Sequence, residues 1–336
     1  MDRRRVDDAV RAGDVDELLR IVDGASSARE WDELEMLRAR CAAATETGHQ
    51  LWPVASRAAY LLALDAPGRL AGAVLVEGAG RFAPGPLPEV AAQRHPWADL
   101  APSIPSGPHA VVTAHERVLR GEDLTDAVID GPAVLELPLR LAAWEPSYAL
   151  AEYGPDTADF PAPAPPPARV VDEVLLPARP DDDSRAAEPS DEVAEALRDA
   201  VRHWSDESNG TVAAVGVSGD TTHAIAAIET GSVRVVGLEP ADALARLAWA
   251  AASGGAHAPR PGAAAGRFSA WWVAGATTDL LDDWPPDPEE LGSRVAALEW
   301  ATWERADASP SGWQLHLAIA DPARGRAWAV RARDSI

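Results

Sequence analysis

Residues 313–333 read WQLHLAIADPARGRAWAVRAR, and this stretch decides the fold of the C-terminal part of the chain. Large apolar residues occupy every second position of its first half: Trp313, Leu315, Leu317 and Ile319. Such alternation is typical of a strand with one buried face. The segment DPARGR then supplies a turn, after which Trp328 and Val330 resume the alternation. We therefore predict an antiparallel hairpin that ends a C-terminal sheet.

Strands and helices are mixed in the region before this hairpin. Residues 211–217 and 232–238 have the composition of strands, and they flank a helix expected at about 221–229. Three more helices are expected after them: from Pro240, over 262–279 and from Asp287. The sequence thus predicts a Trp-rich α+β domain with an antiparallel sheet over residues 190–336.

The first 153 residues predict an all-α domain, either a helical bundle or a stack of short helical hairpins. A capping box is expected at Ser27–Glu30, and apolar residues follow at helical spacing on one face: Trp31, Leu34, Leu37 and Cys41. Residues 154–189 are rich in Pro, Asp and Ala, which favours an extended linker between the two domains.

Composition excludes several classes of chemistry. The 336 residues contain no lysine, so a Schiff-base lysine and the ammonium of a phosphate-binding GxxxxGK loop are both absent. Cys41 is the single cysteine, which rules out an intramolecular disulfide and Cys-rich metal sites. The eight histidines are scattered without a metal-ligand spacing. We expect neither a metal nor another cofactor.

The negative charge of the chain limits the kinds of partner that it can bind. The formal net charge is −23, and neither half of the chain is basic. Binding to nucleic acids or to anionic membranes depends on clustered positive charge, so neither is expected. The N-terminal residues lack the apolar region of a signal peptide, and no later stretch has 18 uninterrupted apolar residues. We therefore expect a cytoplasmic protein.

The most distinctive stretch is SGGAHAPRPGAAAGRFSAWW, residues 253–272. Its glycines can end one helix and allow the next to pack closely over Gly262 to Gly266. Three donors and two adjacent aromatic residues make it the leading candidate for binding an anion or a partner: His257, Arg260, Arg267, Trp271 and Trp272. The alternative is that these residues only pack or form ion pairs within the protein.

A weaker candidate site lies at Gly216-Val217-Ser218-Gly219-Asp220. It resembles the GxSxG turn of a serine hydrolase but has Asp220 at the position of the last glycine. His257 or His316 could serve as the base of such a site. His223 follows Asp220 by three residues, which also fits a small Asp/His site or a helix cap. We expect Asp220 to cap the next helix.

Three segments of the chain resemble an uncharacterised family found in actinobacteria. They are residues 74–124, residues 135–153 and, above all, WAAASGGAHAPRPGAAAGRFSAWW at 249–272. The resemblance covers both predicted domains and implies a cytoplasmic protein from a GC-rich genome. The family carries no assigned activity, so the resemblance assigns no catalytic residue.

The leading hypothesis is a non-catalytic cytoplasmic interaction, scaffold or regulatory protein whose partner is another protein or a second copy of the chain. No nucleophile, metal or phosphate motif stands out, whereas helices, a linker and surplus tryptophan all suit protein contacts. One alternative is an enzyme or a small-anion-binding protein that uses the C-terminal domain. Another is an acidic mimic of a nucleic acid.

Overall fold

The computed structural model describes residues 3–163, 171–176, 191–305 and 312–335. The described chain begins with helices and ends in an antiparallel sheet with helices on it. This confirms the predicted order of an all-α region followed by an α+β region. None of the described helices is both long and apolar enough to cross a membrane.

The chain forms two compact units, and its path between them is interleaved. The first, the helical unit, consists of Met1–Leu135 and Ala151–Asp159. The second, the sheet unit, consists of Glu136–Leu150 and Phe160–Ile336. A short segment of the sheet unit therefore interrupts the sequence of the helical unit.

The helical unit is built around one central helix. Its elements are α1 (Arg3–Ala12), α2 (Val15–Ser27), α3 (Trp31–Glu46), α4 (Trp52–Asp65), α5 (Gly68–Ala73), α6 (Leu87–Arg94), α7 (Trp97–Leu100), α8 (Pro108–Leu119), β1 (Glu152–Tyr153) and β2 (Ala158–Asp159). Every residue of α4 from Ala58 to Leu64 is buried, and α4 packs against α2, α3, α5 and α6. The stretch Ala58–Leu64 is apolar on all sides, and such a segment belongs in the interior of the unit.

The predicted capping box at Ser27–Glu30 is wrong. Ser27 is the last residue of α2, and Glu30 precedes α3 without a side-chain hydrogen bond to it. Arg29 between them has a left-handed φ of 58°, so these residues form the turn between two helices. The predicted apolar face of α3 is confirmed, because Leu34, Leu37 and Cys41 are buried. Burial raises the pKa of the Cys41 thiol to about 11, so this cysteine is a core residue.

The sheet unit combines a sheet with helices on both of its faces. Its strands are β3 (Val171–Leu176), β4 (Thr211–Ser218), β5 (Gly231–Leu238), β6 (Glu299–Arg305), β7 (Trp313–Asp321) and β8 (Arg326–Asp334). Its helices are α9 (Glu192–Ala200), α10 (Arg202–Asp206), α11 (Thr221–Ile228), α12 (Pro240–Ser253), α13 (Ala263–Thr277) and α14 (Pro288–Ala296). The six strands follow the order β3-β5-β6-β7-β8-β4, and all five pairings are antiparallel.

The predicted hairpin is confirmed as β7 and β8, which pair from Trp313 opposite Asp334 to Asp321 opposite Arg326. Its two faces carry different side chains. Toward α9, α12 and α13, β7 presents the large apolar residues of the main core: Leu315, Leu317 and Ile319. Toward α11, the hairpin presents a second core of small residues: Ala318, Ala320, Ala327 and Ala329. Short methyl side chains allow α11 to pack closely on this second face.

Close packing of α13 on α12 depends on Gly266. A Cβ atom at this position would lie 2.3 Å from the carbonyl oxygen of Ala248 and 2.9 Å from the Cβ atom of Ala252, both in α12. The predicted close approach of the helix that contains Gly266 is thus confirmed. The contact holds together two helices that both contribute buried residues to the main core.

We expect Gly266→Ala to lower the free energy of unfolding by about 1–3 kcal/mol, because the added methyl group forces α12 and α13 apart. The better helix propensity of alanine offsets this by at most about 1 kcal/mol. Urea denaturation measures the change. Gly237→Ala is the control, since a Cβ atom there meets nothing within 4 Å. Equal effects of the two substitutions would contradict this account of Gly266.

Candidate functional site

Arg267 lies inside the sheet unit. Its side chain is fully buried on α13 and makes a bidentate pair with Glu145, with donor to acceptor distances of 2.7 and 2.8 Å. The same guanidinium donates to the carbonyl oxygens of Pro138 and Arg140, each at 3.0 Å. Arg267 thereby fastens the segment 136–150 to α13, and its donors are occupied by groups of the protein itself.

Glu145 receives several donors within this network. The Tyr148 hydroxyl donates to it at 2.7 Å and the backbone N–H of Ala142 at 2.8 Å, in addition to Arg267. Burial raises the pKa of Glu145, but the hydrogen bonds and charge of Arg267 outweigh it and leave the pKa below its ordinary value. Burial also raises the pKa of Tyr148 well above its usual range. The network is therefore one charged pair surrounded by satisfied hydrogen bonds.

Trp271 and Trp272 both pack within the main core of the sheet unit. Trp271 is completely buried, 5.1 Å from the ring of Trp144, and the Arg267 guanidinium lies 5.8 Å from its ring centroid. Trp272 is partly buried beside Phe268 and Trp284. Of the leading candidates, the structure brings only Arg267 and Trp271 into contact, and neither presents a surface to solvent.

The remaining two leading candidates lie in the loop between α12 and α13. His257 is exposed. Arg260 is half-buried, with its guanidinium 5.0 Å from the ring centroid of Phe160. The exposed His257 and the fully buried Arg267 therefore lie in different surroundings, one in a loop and the other on a core helix.

The weaker candidates at the end of β4 form a helix cap. The Oδ1 atom of Asp220 accepts a hydrogen bond from the His223 backbone N–H at 3.1 Å and from the His223 ring Nδ1 at 2.8 Å. The ring contact lowers the pKa of Asp220. Ser218 is exposed, and no histidine among the described residues hydrogen-bonds to it. A serine nucleophile requires such a base, so the arrangement supports the capping role that we expected for Asp220.

His316, the alternative base, is held neutral on the sheet. Its Nδ1–H donates to the carbonyl oxygen of Trp303 at 2.9 Å, and its Nε2 accepts from the Arg333 Nε–H at 3.1 Å. This pairing requires a neutral ring, because a protonated Nε2 would face another donor. Burial is the main cause that lowers the pKa of His316, to about 4. His316 is therefore a structural acceptor for Arg333.

A groove in the helical unit carries exposed aromatic rings. It has a volume of about 610 Å³ and is lined by α3, by α4 and by the segment between α5 and α6. Five large hydrophobic residues are exposed in the described part of the chain, and the two aromatic ones lie here. Trp52 is 40% exposed and Phe82 57% exposed, with ring centroids 3.9 Å apart. We call this feature the aromatic groove.

The walls of the aromatic groove are held in place by short contacts. The backbone N–H of Phe82 donates to the Ser56 hydroxyl at 3.3 Å, which fixes the loop on α4. The Arg81 guanidinium lies 5.7 Å from the Phe82 ring centroid, a cation–π distance. Arg38 lines the groove from α3 and donates to Glu35 at 2.6 and 2.8 Å. The carboxylates of Glu46 and Glu77 also line it, so both signs of charge surround the aromatic pair.

Sequence reasoning missed the aromatic groove. Trp52 precedes Pro53 at the start of a mostly buried helix, a pattern typical of core tryptophan, and Phe82 lies in a Gly-rich segment without periodicity. The one available signal was an aromatic residue beside Arg81 in a loop. In the described residues no group of three or more His, Cys, Asp or Glu side chains is arranged to hold a metal ion.

A comparison with protein families finds a match over residues 16–335 to a family of unknown function, DUF6183. The match includes both units and confirms the resemblance to an uncharacterised family. No curated protein and no solved structure matches the chain.

We expect Arg267→Met to lower the free energy of unfolding by about 3–5 kcal/mol, because it leaves the Glu145 carboxylate buried without its counter-charge. Adding Glu145→Gln removes that charge and should recover part of the loss. Urea denaturation of the two single variants and the double variant measures the coupling. Arg69→Met is the control, since its pair with Asp32 is exposed. Simple additivity of the two substitutions would show that the pair is not coupled.

His316 should make stability depend on pH. The pKa of His316 is about 4 in the folded protein and about 6.5 in the unfolded chain. Between these pH values the imidazole is protonated in the unfolded chain and neutral in the folded protein. Stability is therefore lost as the pH falls from 6.5 to 4, by on the order of 3 kcal/mol from this group. Urea midpoints across this range should fall less steeply for His316→Gln than for the unaltered protein. His257→Gln, at an exposed position, is the control. Parallel pH curves for all three proteins would refute the assignment.

Proposed function

We propose that this member of DUF6183 is a non-catalytic cytoplasmic protein that binds a partner protein through the aromatic groove. DUF6183 is a family of unknown function, so the proposal rests on the geometry of the chain. The observation that carries this proposal is the exposed pair of Trp52 and Phe82 within a concave surface. Aromatic side chains and arginine are enriched in the centres of protein interfaces.

The shape of the aromatic groove suits an inserted side chain. Its floor includes small residues of α3 and α4, namely Ala42, Ala55 and Ala59, which leave room above the backbone. The exposed faces of Trp52 and Phe82 then offer apolar surface to whatever enters. Burying apolar surface stabilises a complex by roughly 25 cal/mol per Å². We infer that the partner contributes an apolar side chain to this space.

Charge favours a basic partner. The chain carries a net charge of −23, and two carboxylates, Glu46 and Glu77, lie at the groove. Of the nearby arginines, Arg38 is engaged by Glu35 and Arg81 lies over Phe82. Long-range attraction therefore accelerates association with positively charged proteins and weakens as salt is added. The occupant that we propose is an apolar side chain flanked by basic residues on another protein.

The test is affinity capture with tagged full-length protein from a native lysate of the source organism, followed by calorimetry with the purified partner. We expect Phe82→Ser to weaken partner binding at least tenfold, because truncation of an aromatic residue central to an interface typically costs 2 kcal/mol or more, about a thirtyfold change. Affinity for the unaltered protein should fall as salt is raised.

Val128→Ser is the matched control, because Val128 is an exposed apolar residue of the same unit outside the groove. Circular dichroism establishes that both variants are folded. Capture of no partner, or of partners that Phe82→Ser retains as well as Val128→Ser does, would overturn the proposal. Recovery of only a second copy of the chain would replace the hetero-partner with self-association.

A further inference from the structure

Three aromatic rings of the sheet unit contact one another beside α13. Phe268 and Trp272 lie one turn apart on this helix, with ring centroids 5.9 Å apart and ring planes inclined by 20°. Trp284, in the segment after α13, lies across both rings, 5.5 Å from Phe268 at 72° and 5.0 Å from Trp272 at 61°. We call these three residues the aromatic triad. Because its rings are inclined to one another, the triad presents apolar surface in more than one direction.

The rest of the protein covers the aromatic triad only in part. All three side chains pack against the main core, yet each of them is partly exposed. Leu281 packs against the same core and is partly exposed as well. Aromatic side chains that remain in contact with water are enriched at protein interfaces.

The indole N–H groups of Trp272 and Trp284 are available as donors. Within the described residues, neither nitrogen donates a hydrogen bond. Neither is buried, in contrast to the indole nitrogens of Trp249, Trp271 and Trp303, which have no acceptor but lie in the interior. An indole nitrogen is a donor only, so both groups can receive an acceptor from outside the protein.

Carboxylates adjoin the aromatic triad. Asp282 and Asp283, directly before Trp284, are exposed, and no ion pair engages them within the described residues. Arg294 and Arg324 donate to the carbonyl oxygens of the preceding residues 277 and 278, but both are held by carboxylates elsewhere. The unpaired charges next to Trp284 are therefore negative, as is the whole chain, and they complement a basic partner.

We propose that the aromatic triad binds a proline-rich segment of another protein that carries a basic residue beside its prolines. A polyproline helix has no internal hydrogen bonds, so its carbonyl oxygens can accept from the two indole N–H groups. Segments of this kind dock on aromatic side chains and lose little conformational entropy, because they are extended before they bind. Asp282 and Asp283 attract the basic residue. This surface lies in the sheet unit and does not depend on the aromatic groove.

The donors of the aromatic triad distinguish a proline-rich segment from an ordinary peptide. A peptide without proline brings an N–H group at every residue, and the side chains of the triad contain no acceptor for it. Proline has no N–H group, so it matches a surface that only donates. A second copy of the chain fits less well, because a symmetric dimer through this surface would place Asp282 and Asp283 near their own copies.

The experiment is a calorimetric titration of the full-length protein with a synthetic peptide of six consecutive prolines between two arginines. We expect saturable binding that shifts the indole N–H resonances of Trp272 and Trp284 in NMR spectra. Trp272→Phe and Trp284→Phe should each weaken binding about fivefold, the effect of one lost hydrogen bond. The double variant Asp282→Asn/Asp283→Asn should weaken it several-fold and reduce its dependence on salt.

The matched control for the indoles is Trp313→Phe, because Trp313 is partly buried in the same unit and stacks on Trp249 outside the triad. The control for the carboxylates is Asp206→Asn, at an exposed position of α10. Both control variants should bind the peptide as the unaltered protein does. Equal losses in a control and in the corresponding triad variant would contradict the assignment.

Two further peptides test the proposal on the unaltered protein, even if the tryptophan variants do not fold. One has glycine and serine in place of the prolines, and the other has glutamates in place of the arginines. Both should bind more weakly than the first peptide, and equal binding of either would overturn the proposal, as would the absence of saturable binding. A dimer in sedimentation experiments that Trp284→Phe abolishes would assign the surface to a second copy and reject the proline-rich partner.

Discussion

Alternation of side chains along β7 and β8 is the constraint on which the sheet unit depends. One face of this hairpin carries leucine and isoleucine, and the main core forms against it. The other face carries alanine for the length of α11 and then changes to His316, Arg331 and Arg333. Because successive residues of a strand point to opposite faces, a shift of the register by one residue would place arginine in the main core and leucine under α11. The same two strands thus determine where the protein is packed and where it is charged.

A buried ion pair joins parts of the sheet unit that are far apart in sequence. Arg267 satisfies a carboxylate and two carbonyl oxygens that are far from it in sequence. Removing charges from water is costly, and the bidentate geometry together with the donors from Tyr148 and Ala142 offsets that cost. Arginine suits this position because its planar guanidinium donates to a carboxylate and to two carbonyl oxygens at once. The smaller ammonium group of lysine lacks this fixed fork of donors.

Local periodicity was sufficient to predict much of the fold from the sequence. The hairpin, the apolar face of α3 and the tight packing at Gly266 follow from residues that are close in sequence, and the structure confirms them. The capping box at Ser27–Glu30 failed because a short turn between two helices uses the same residue types as a helix start. Arg267 was predicted as a candidate anion ligand. Its partner, Glu145, is 122 residues away in the sequence, and no local pattern predicts such a distant pair. The aromatic groove depends on how the loop containing Phe82 folds onto α4, which no spacing rule encodes.

The interleaved path of the chain has a consequence for how the protein can be divided. Residues 136–150 belong to the sheet unit, while residues 151–159 return to the helical unit. A cut at any one peptide bond in this region therefore removes part of one unit or the other. A fragment that begins after residue 160 lacks Glu145 and retains a guanidinium group enclosed in the core without its carboxylate. During synthesis, Glu145 likewise leaves the ribosome before α13, so its carboxylate has no guanidinium partner until Arg267 has also emerged.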